Sequence, residues 1–491
     1  MGMRTIIYDI PNRLVTLVET LRARLRDANF RGRQRVRPED FTRRRQLTFS
    51  VVMLFTLQKT AKSIQNHLHE FFDQLAEGPL FRPVTPGAWT KARAKLKHSA
   101  FIELNRDCLL PLAYDAKQSD GIRRWRGHRL LGIDSSLTRL PCHEDVGQEF
   151  GWVEVTNQKG RTGTCYPEGR ISVVYDVLNR LGLDARLESS RMGEVALALE
   201  QVAQLQPGDL AINDRGFSGY LYFACVRQQG AHFIGRCSTG SFLAAQEMFR
   251  RNRAHQSRVV WLFAPPDQKA ECRRLGLPLQ MKVRLVSVRL PTGALEVLAT
   301  SLLDADRYPT EEFLTVYHWR WGHETFYLML KGRLDLEHFS GETPEAVRQD
   351  FHAAVLVANL ESMLSQPVQS SLSQRNDPEV QPRQVNHAVC YHALKDQVLD
   401  LLYGDIPAPQ VLAKLFRLFQ GSPVAVRPKR EGPERAKKTS YNRSYHFQRR
   451  VKKKAWGPKR PILDSPRPSA SPLWVSICTW MARTWYLAKR M

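Results

Sequence analysis

Two short apolar runs constrain this chain most. They are Leu130-Leu131-Gly132-Ile133 and Leu210-Ala211-Ile212-Asn213, each followed at once by an aspartate, Asp134 and Asp214. Runs this short and this apolar read as strands buried on both faces. Between and after them the pattern alternates. Residues 171–177 and 181–187 read as a hairpin turning near Asn179. The stretch MGEVALALEQVAQL is an amphipathic helix, LYFACVRQQG a helix closed by Gly230, and AHFIGRCS a further strand. Sequential strands followed by alternating helix and strand predict a mixed α/β sheet. A carboxylate that ends an apolar strand lies at the sheet edge, where ligands bind in open α/β folds. A lone aspartate there more often serves a turn; two of them, joined by a third carboxylate downstream, change that balance.

The flanks differ in character. Residues 1–125 predict a helical N-terminal domain that binds DNA. Within it, Leu47, Val51, Leu54, Phe55, Leu57, Ile64 and Leu68 follow helical spacing. After the turn Thr85-Pro86-Gly87, a short helix carries Lys91, Arg93, Lys95 and Lys97, either a DNA-binding face or a solvated one. Residues 126–365 predict the mixed α/β domain, with a β-rich stretch at about 239–305. A long helix runs from Thr310 to Lys331, with Glu311 and Glu312 in its first turn, and a second covers about 343–364. A helical region follows at 366–420. Residues 421–491 are strongly basic and poor in aliphatics, which predicts a flexible, partly disordered tail.

Charge narrows the partners. Lys and Arg number 73 against 48 Asp and Glu, a formal net charge of +25. Such an excess is the electrostatic footprint of a polyanion binder, nucleic acid first. No run of about 18 apolar residues predicts a membrane span. The first residues carry charges and no apolar signal core, and the eight cysteines form no CxxC pair. These features predict a cytoplasmic protein with reduced thiols. Zinc-hydrolase HExxH, the GxxxxGK[ST] phosphate loop and the G-x-S-x-G elbow are all missing from the sequence.

The long helix carries the third carboxylate. Tyr317, Arg320, Glu324 and Lys331 stand at −7, −4, 0 and +7 from Glu324. At about 100° per residue they fall within about 60° of one another, on one face. They span about 21 Å of helix, and Val316, Trp319, Phe326 and Leu330 take the other side. An i,i+4 ion pair accounts for Arg320 and Glu324 but not for Tyr317 and Lys331. Three converging carboxylates repel one another unless cations neutralise them. Hard oxygen donors suit Mg²⁺, and a pair of such ions can serve in-line attack on a phosphodiester. Asp176 reads as a strand residue facing solvent, and Trp319 and Trp321 as packing residues.

The spacing Y-x2-R-x3-E-x6-K, met by Tyr317, Arg320, Glu324 and Lys331, joins GIDSS at Asp134 and NDRGF at Asp214. Together they closely resemble bacterial insertion-sequence transposases of the DDE class, type four. The intervals also fit, 80 residues between the aspartates and 110 from Asp214 to Glu324. The resemblance covers about residues 40–365. It implies a ribonuclease-H-like catalytic core in which Asp134, Asp214 and Glu324 are catalytic and hold two Mg²⁺ or Mn²⁺ ions. It implies that Tyr317, Arg320 and Lys331 contact DNA phosphates near the cleaved end. It further implies binding to terminal inverted repeats, excision, joining to target DNA, a homodimer on paired ends, and a nucleoid-associated location in the bacterial cytoplasm. The chain departs from the family at Ser135, where glycine is frequent, and at Glu296, where some members have a base-stacking tryptophan. Trp261 is the one tryptophan of the insertion. Two rival readings are a structure-selective nuclease of the same fold and a catalytically silent DNA-binding remnant.

Overall fold

A computed structural model describes residues 10–43, 45–59, 63–75, 83–115, 122–156, 162–374 and 382–426. Nearly all of the basic tail expected at 421–491 lies outside the described residues.

Nine strands build one sheet: β1 (Leu130–Arg139), β2 (Trp152–Thr156), β3 (Thr162–Asp176), β4 (Leu181–Ser189), β5 (Leu210–Asn213), β6 (His232–Arg236), β7 (Ser257–Phe263), β8 (Gln280–Arg289) and β9 (Leu295–Thr300). The order is β2-β3-β1-β5-β6-β9-β8-β7, with β4 also paired to β3. Strands β1, β3 and β4 are antiparallel neighbours, whereas β5 runs parallel to β1 and β6 parallel to β5. Strand β9 then pairs antiparallel with β6. The three strands of the 239–305 segment therefore extend the main sheet. Helix Leu243–Arg251 precedes them and helix Lys269–Arg274 lies between the first two.

Among the described residues, seven α-helices precede the sheet: α1 (Asn12–Arg26), α2 (Ala28–Gln34), α3 (Phe49–Gln58), α4 (Ile64–Leu75), α5 (Pro86–Arg93), α6 (Ser99–Glu103) and α7 (Leu110–Ala113). The next five are α8 (Glu144–Phe150), α9 (Glu194–Val202), α10 (Tyr220–Gln228), α11 (Leu243–Arg251) and α12 (Lys269–Arg274). After the sheet come α13 (Glu312–His318), α14 (Trp321–Gly332), α15 (Pro344–Gln374), α16 (His387–Asp396), α17 (Val398–Leu402) and α18 (Ala408–Gln420).

Side chains alternate across a strand, so parity sorts the sheet into two faces. Leu131, Ile133, Ala211 and Phe233 pack with α9 and α10. Leu130, Leu210, Ile212, Ile234 and Leu298 pack with Phe313, Val316 and Tyr317 of α13 on the opposite face. Both faces are apolar because both are covered, as the uninterrupted apolar runs require.

Helix α15 is 31 residues long, and residues 349–365 are buried without a break. A helix apolar all round must be enclosed. It touches α3 and α6 on one side, β4 on another, and α16 and α18 on a third. Several of its buried polar groups are paired. Arg93 donates to Asp350 Oδ1 at 2.6 Å and to Gln349 Oε1 at 2.6 Å, and Asn359 Nδ2 donates to Asn105 Oδ1 at 2.7 Å.

Three expectations need correction. Arg93 does not face DNA, because Asp350 at the heart of α15 holds it inside the protein. Asp176 is fully buried, where it accepts hydrogen bonds from Tyr114 (2.7 Å) and Asn179 Nδ2 (2.8 Å). The long helix is broken at residues 319–320. There the backbone tightens into i−3 hydrogen bonds, Arg320 N to Tyr317 O and His323 N to Arg320 O.

Candidate active site

Asp134 and Asp214 share the parity of Leu130 and Leu210, so both project on the α13–α14 side. The β1–β5 ladder ends on the pair Gly132–Ile212. Two residues further come Asp134, still in β1, and Asp214, just past the end of β5. Their surroundings differ. Strand β1 does not stop at Asp134 as the sequence reading had it, but continues to Arg139, because β3 pairs with it throughout. Strand β5 does stop, and Asp214 caps a single 3₁₀ turn.

Helix α14 lies along β1 and is fastened to it at three levels. His323 packs over Gly132, where a side chain would come within 2.7 Å of its Nδ1. Tyr327 donates its hydroxyl to Asp134 O at 2.6 Å. Lys331 Nζ donates to Ser136 Oγ at 2.8 Å and to Leu137 O. Glu324 is carried by this helix, next to the His323 contact.

Electrostatics tie the carboxylates to one arginine. Arg320 Nη2 donates to Glu324 Oε1 at 3.1 Å. Burial works against the Arg320 charge, yet Tyr317, Asp214 and Glu324 hold its guanidinium above the ordinary value. Arg320 also acts on Asp134, whose carboxyl burial pushes up to about 6, with Asp214 adding repulsion. The Asp134 carboxylate accepts from its neighbour Ser135 N at 2.8 Å, and no ion pair to it occurs among the described residues. Tyr317 is buried and donates to Asp214 Oδ1 at 3.4 Å. Burial raises that phenol well above its usual range. Lys331 is pushed below the ordinary lysine value by burial.

Of the three carboxylates expected as one cation cage, Asp134 and Asp214 each lie two residues beyond the last β1–β5 pair, and Glu324 is turned to Arg320. Accordingly, no three His, Cys, Asp or Glu side chains group as a metal cluster among the described residues. The donor set nevertheless suits a divalent cation. It is made of hard carboxylate oxygens, and the half-buried Asp134 carboxylate has no ion-pair partner within reach among the described residues.

Two residues beside Asp214 escaped the sequence reading as a pair. Arg236, at the end of β6, forms an ion pair through Nη2 with Glu296 of β9, and its Nη1 lies 3.9 Å from Asp214 Oδ1. Parity was the available signal, since Arg236 follows Ile234, and Glu296 precedes Leu298, on the α13 face. Ser135, the departure from glycine, accepts a hydrogen bond from Arg170 at 2.9 Å.

Such a sheet, with three antiparallel strands followed by two parallel ones and carboxylates on β1 and just past β5, is consistent with the ribonuclease-H-like core of phosphodiester-cutting enzymes. Residues 125–360 match the model of a family described as Transposase DDE domain. That match supports the activity of a transposase, DNA cleavage and strand transfer. DDE transposases use divalent metal ions. Among solved structures, the chain is similar to a piggyBac transposase synaptic complex with hairpin DNA, determined by cryo-electron microscopy. The likeness has 11% identity over 88% of each chain and a TM-score of 0.38. No curated protein matches it. Among the described residues no helix is long and apolar enough to cross a membrane.

Proposed function

We propose that this chain is the cut-and-paste transposase of a bacterial insertion sequence of type four, with Asp134, Asp214 and Glu324 as its catalytic carboxylates. The observation that carries the reading is the placement of Asp134 and Asp214 two residues beyond the last β1–β5 pair, with Glu324 on a helix fastened along β1. Asp134 and Asp214 would hold divalent ions, Mg²⁺ or Mn²⁺, and Glu324 would join them on leaving Arg320. Bound there, two such ions supply activation of a water or 3′-hydroxyl and stabilisation of the leaving oxygen. The chain's own residues supply the rest. Tyr327 fixes the Asp134 backbone against α14. Arg320, once exchanged from Glu324, presents a planar guanidinium suited to a phosphate. Tyr317 and Lys331 flank it and complete the DNA contacts. The enzyme binds terminal inverted repeats, works as a homodimer on paired ends and acts on the bacterial nucleoid.

The test uses Asp134→Asn, Asp214→Asn and Glu324→Gln in a cleavage assay with Mg²⁺ and end-bearing DNA. Each variant is expected to retain DNA binding by gel shift and to lose cleavage. Near wild-type cleavage by any one of them removes that residue from the catalytic set. Strand transfer from pre-cut ends separates a transposase from a nuclease, which would cut and not join.

A further inference from the structure

The ion pair Arg236–Glu296 stands beside Asp214. Glu296 is almost wholly enclosed, its side chain 5% exposed. It lies on β9, the antiparallel neighbour of β6, on the same face as Asp214. Arg236 has one terminal nitrogen on Glu296 and the other 3.9 Å from Asp214, and its Nε is buried with no hydrogen-bond partner. The guanidinium therefore stands between two acids and is committed to one of them. At 3.9 Å it is short of a hydrogen bond to Asp214, so a small swing of the side chain would close that gap. A fully formed Arg236–Asp214 pair would neutralise the carboxylate that the proposed function gives to a cation. Glu296 prevents this, because a buried carboxylate that loses its partner is costly.

We infer that Glu296 is a positioning residue that retains Arg236 and so keeps the Asp214 carboxylate free of a full ion pair and open to a divalent cation. The inference rests on the reading of Asp214 as a metal ligand. It explains why a carboxylate occupies β9 at a place where an acid would otherwise only add repulsion to an acidic centre. Glu296 and Arg236 offset each other's charge beside Asp214.

The experiment is Mn²⁺ binding to the intact protein without DNA, read as free Mn²⁺ by electron paramagnetic resonance. It compares wild type, Asp214→Asn, Glu296→Gln, Arg236→Gln and the double variant Glu296→Gln/Arg236→Gln. Glu296→Gln is expected to weaken Mn²⁺ binding about tenfold or more, since a full unit of charge then acts on Asp214 at ion-pair distance. The double variant is expected to return to within about threefold of wild type, because the charge that Glu296 restrained is gone. A merely structural Glu296 would lower stability, leave the affinity of the folded fraction unchanged and show no recovery in the double variant; that result overturns the inference. Should Glu296→Gln fail to fold, Arg236→Gln decides alone. It must tighten Mn²⁺ binding, and unchanged or weaker binding overturns the inference. Mn²⁺ affinity unaltered in Asp214→Asn would instead refute Asp214 as a ligand.

Discussion

Replacing Gly132 by alanine tests how α14 is held. The new methyl group would lie 2.7 Å from His323 Nδ1 and 3.5 Å from its Cγ. The ring must retreat by about 0.7 Å, from 2.7 Å to ordinary contact at 3.4 Å. It has little room to do so. It is 1% exposed and stacks on Tyr327 at 4.9 Å between centroids, with Tyr175 at 5.5 Å. Overpacking of this kind costs about 1–3 kcal/mol. Alanine in a strand recovers about 0.5–1 kcal/mol of backbone entropy relative to glycine. A net loss of about 1–2 kcal/mol is expected, read as a lower urea midpoint at unchanged slope. Because Glu324 is the next residue, the displacement also reaches the site. Misplacing a reacting group by about 1 Å can cost about 100-fold in rate, so cleavage is expected to fall about 10- to 100-fold while DNA binding persists. On a His323→Ala background, where the ring is gone, Gly132→Ala is expected to cost little or nothing, whatever His323→Ala itself costs as a cavity. A Gly132→Ala protein as stable and as active as wild type would refute the packing argument, as would an equal cost of Gly132→Ala in both backgrounds.

Two further outcomes follow from buried charges. Arg93→Met strips Asp350 of its closest partner and leaves Lys59 Nζ at 4.0 Å as the remaining cation; a destabilisation of about 3–5 kcal/mol is expected in urea denaturation, with the salt dependence of DNA binding unchanged, and a loss below about 1 kcal/mol would count against it. His352 is buried, and burial, with His98 nearby, depresses its imidazole to about 3. The unfolded chain takes up this proton below an ordinary pKa of about 6.5, so its contribution is complete above that pH and is lost as pH falls toward 3. Replacing His352 by glutamine is expected to reduce the acid-side slope of stability by up to about 1.4 kcal/mol per pH unit, measured by urea midpoints at pH 4–7. An unaltered slope would show that His352 does not titrate as described.

Residues differ in how plainly the sequence announces them. Strands β1 and β5 were legible because burial on both faces demands uninterrupted apolar runs, and these runs end on the two aspartates. The continuation of β1 through Ser135 and Ser136 was not, since polar residues there are paired by Arg170 and Lys331, which are remote in sequence. The break at residues 319–320 was also hidden, because Trp319 and Arg320 fit helical periodicity while the backbone tightens locally. Asp176 misled because a carboxylate in a strand ordinarily faces water; here Tyr114 and Asn179 compensate its burial. The orientation of Glu324 toward Arg320 depends on rotamers, which a spacing pattern does not carry. For Arg236 and Glu296, parity would have given the face, but their pairing depends on β6 and β9 being neighbours.

The enclosed rod Pro344–Gln374 makes this enzyme hard to subdivide. Its flanks serve as inner wall for the leading helices, the carboxylate-bearing sheet and the trailing helices at once. A fragment trimmed to residues 126–365 would strip two of those coverings and leave a greasy spindle in water. Whatever loosens the leading or trailing helices therefore has a direct mechanical route to the sheet that bears Asp134 and Asp214.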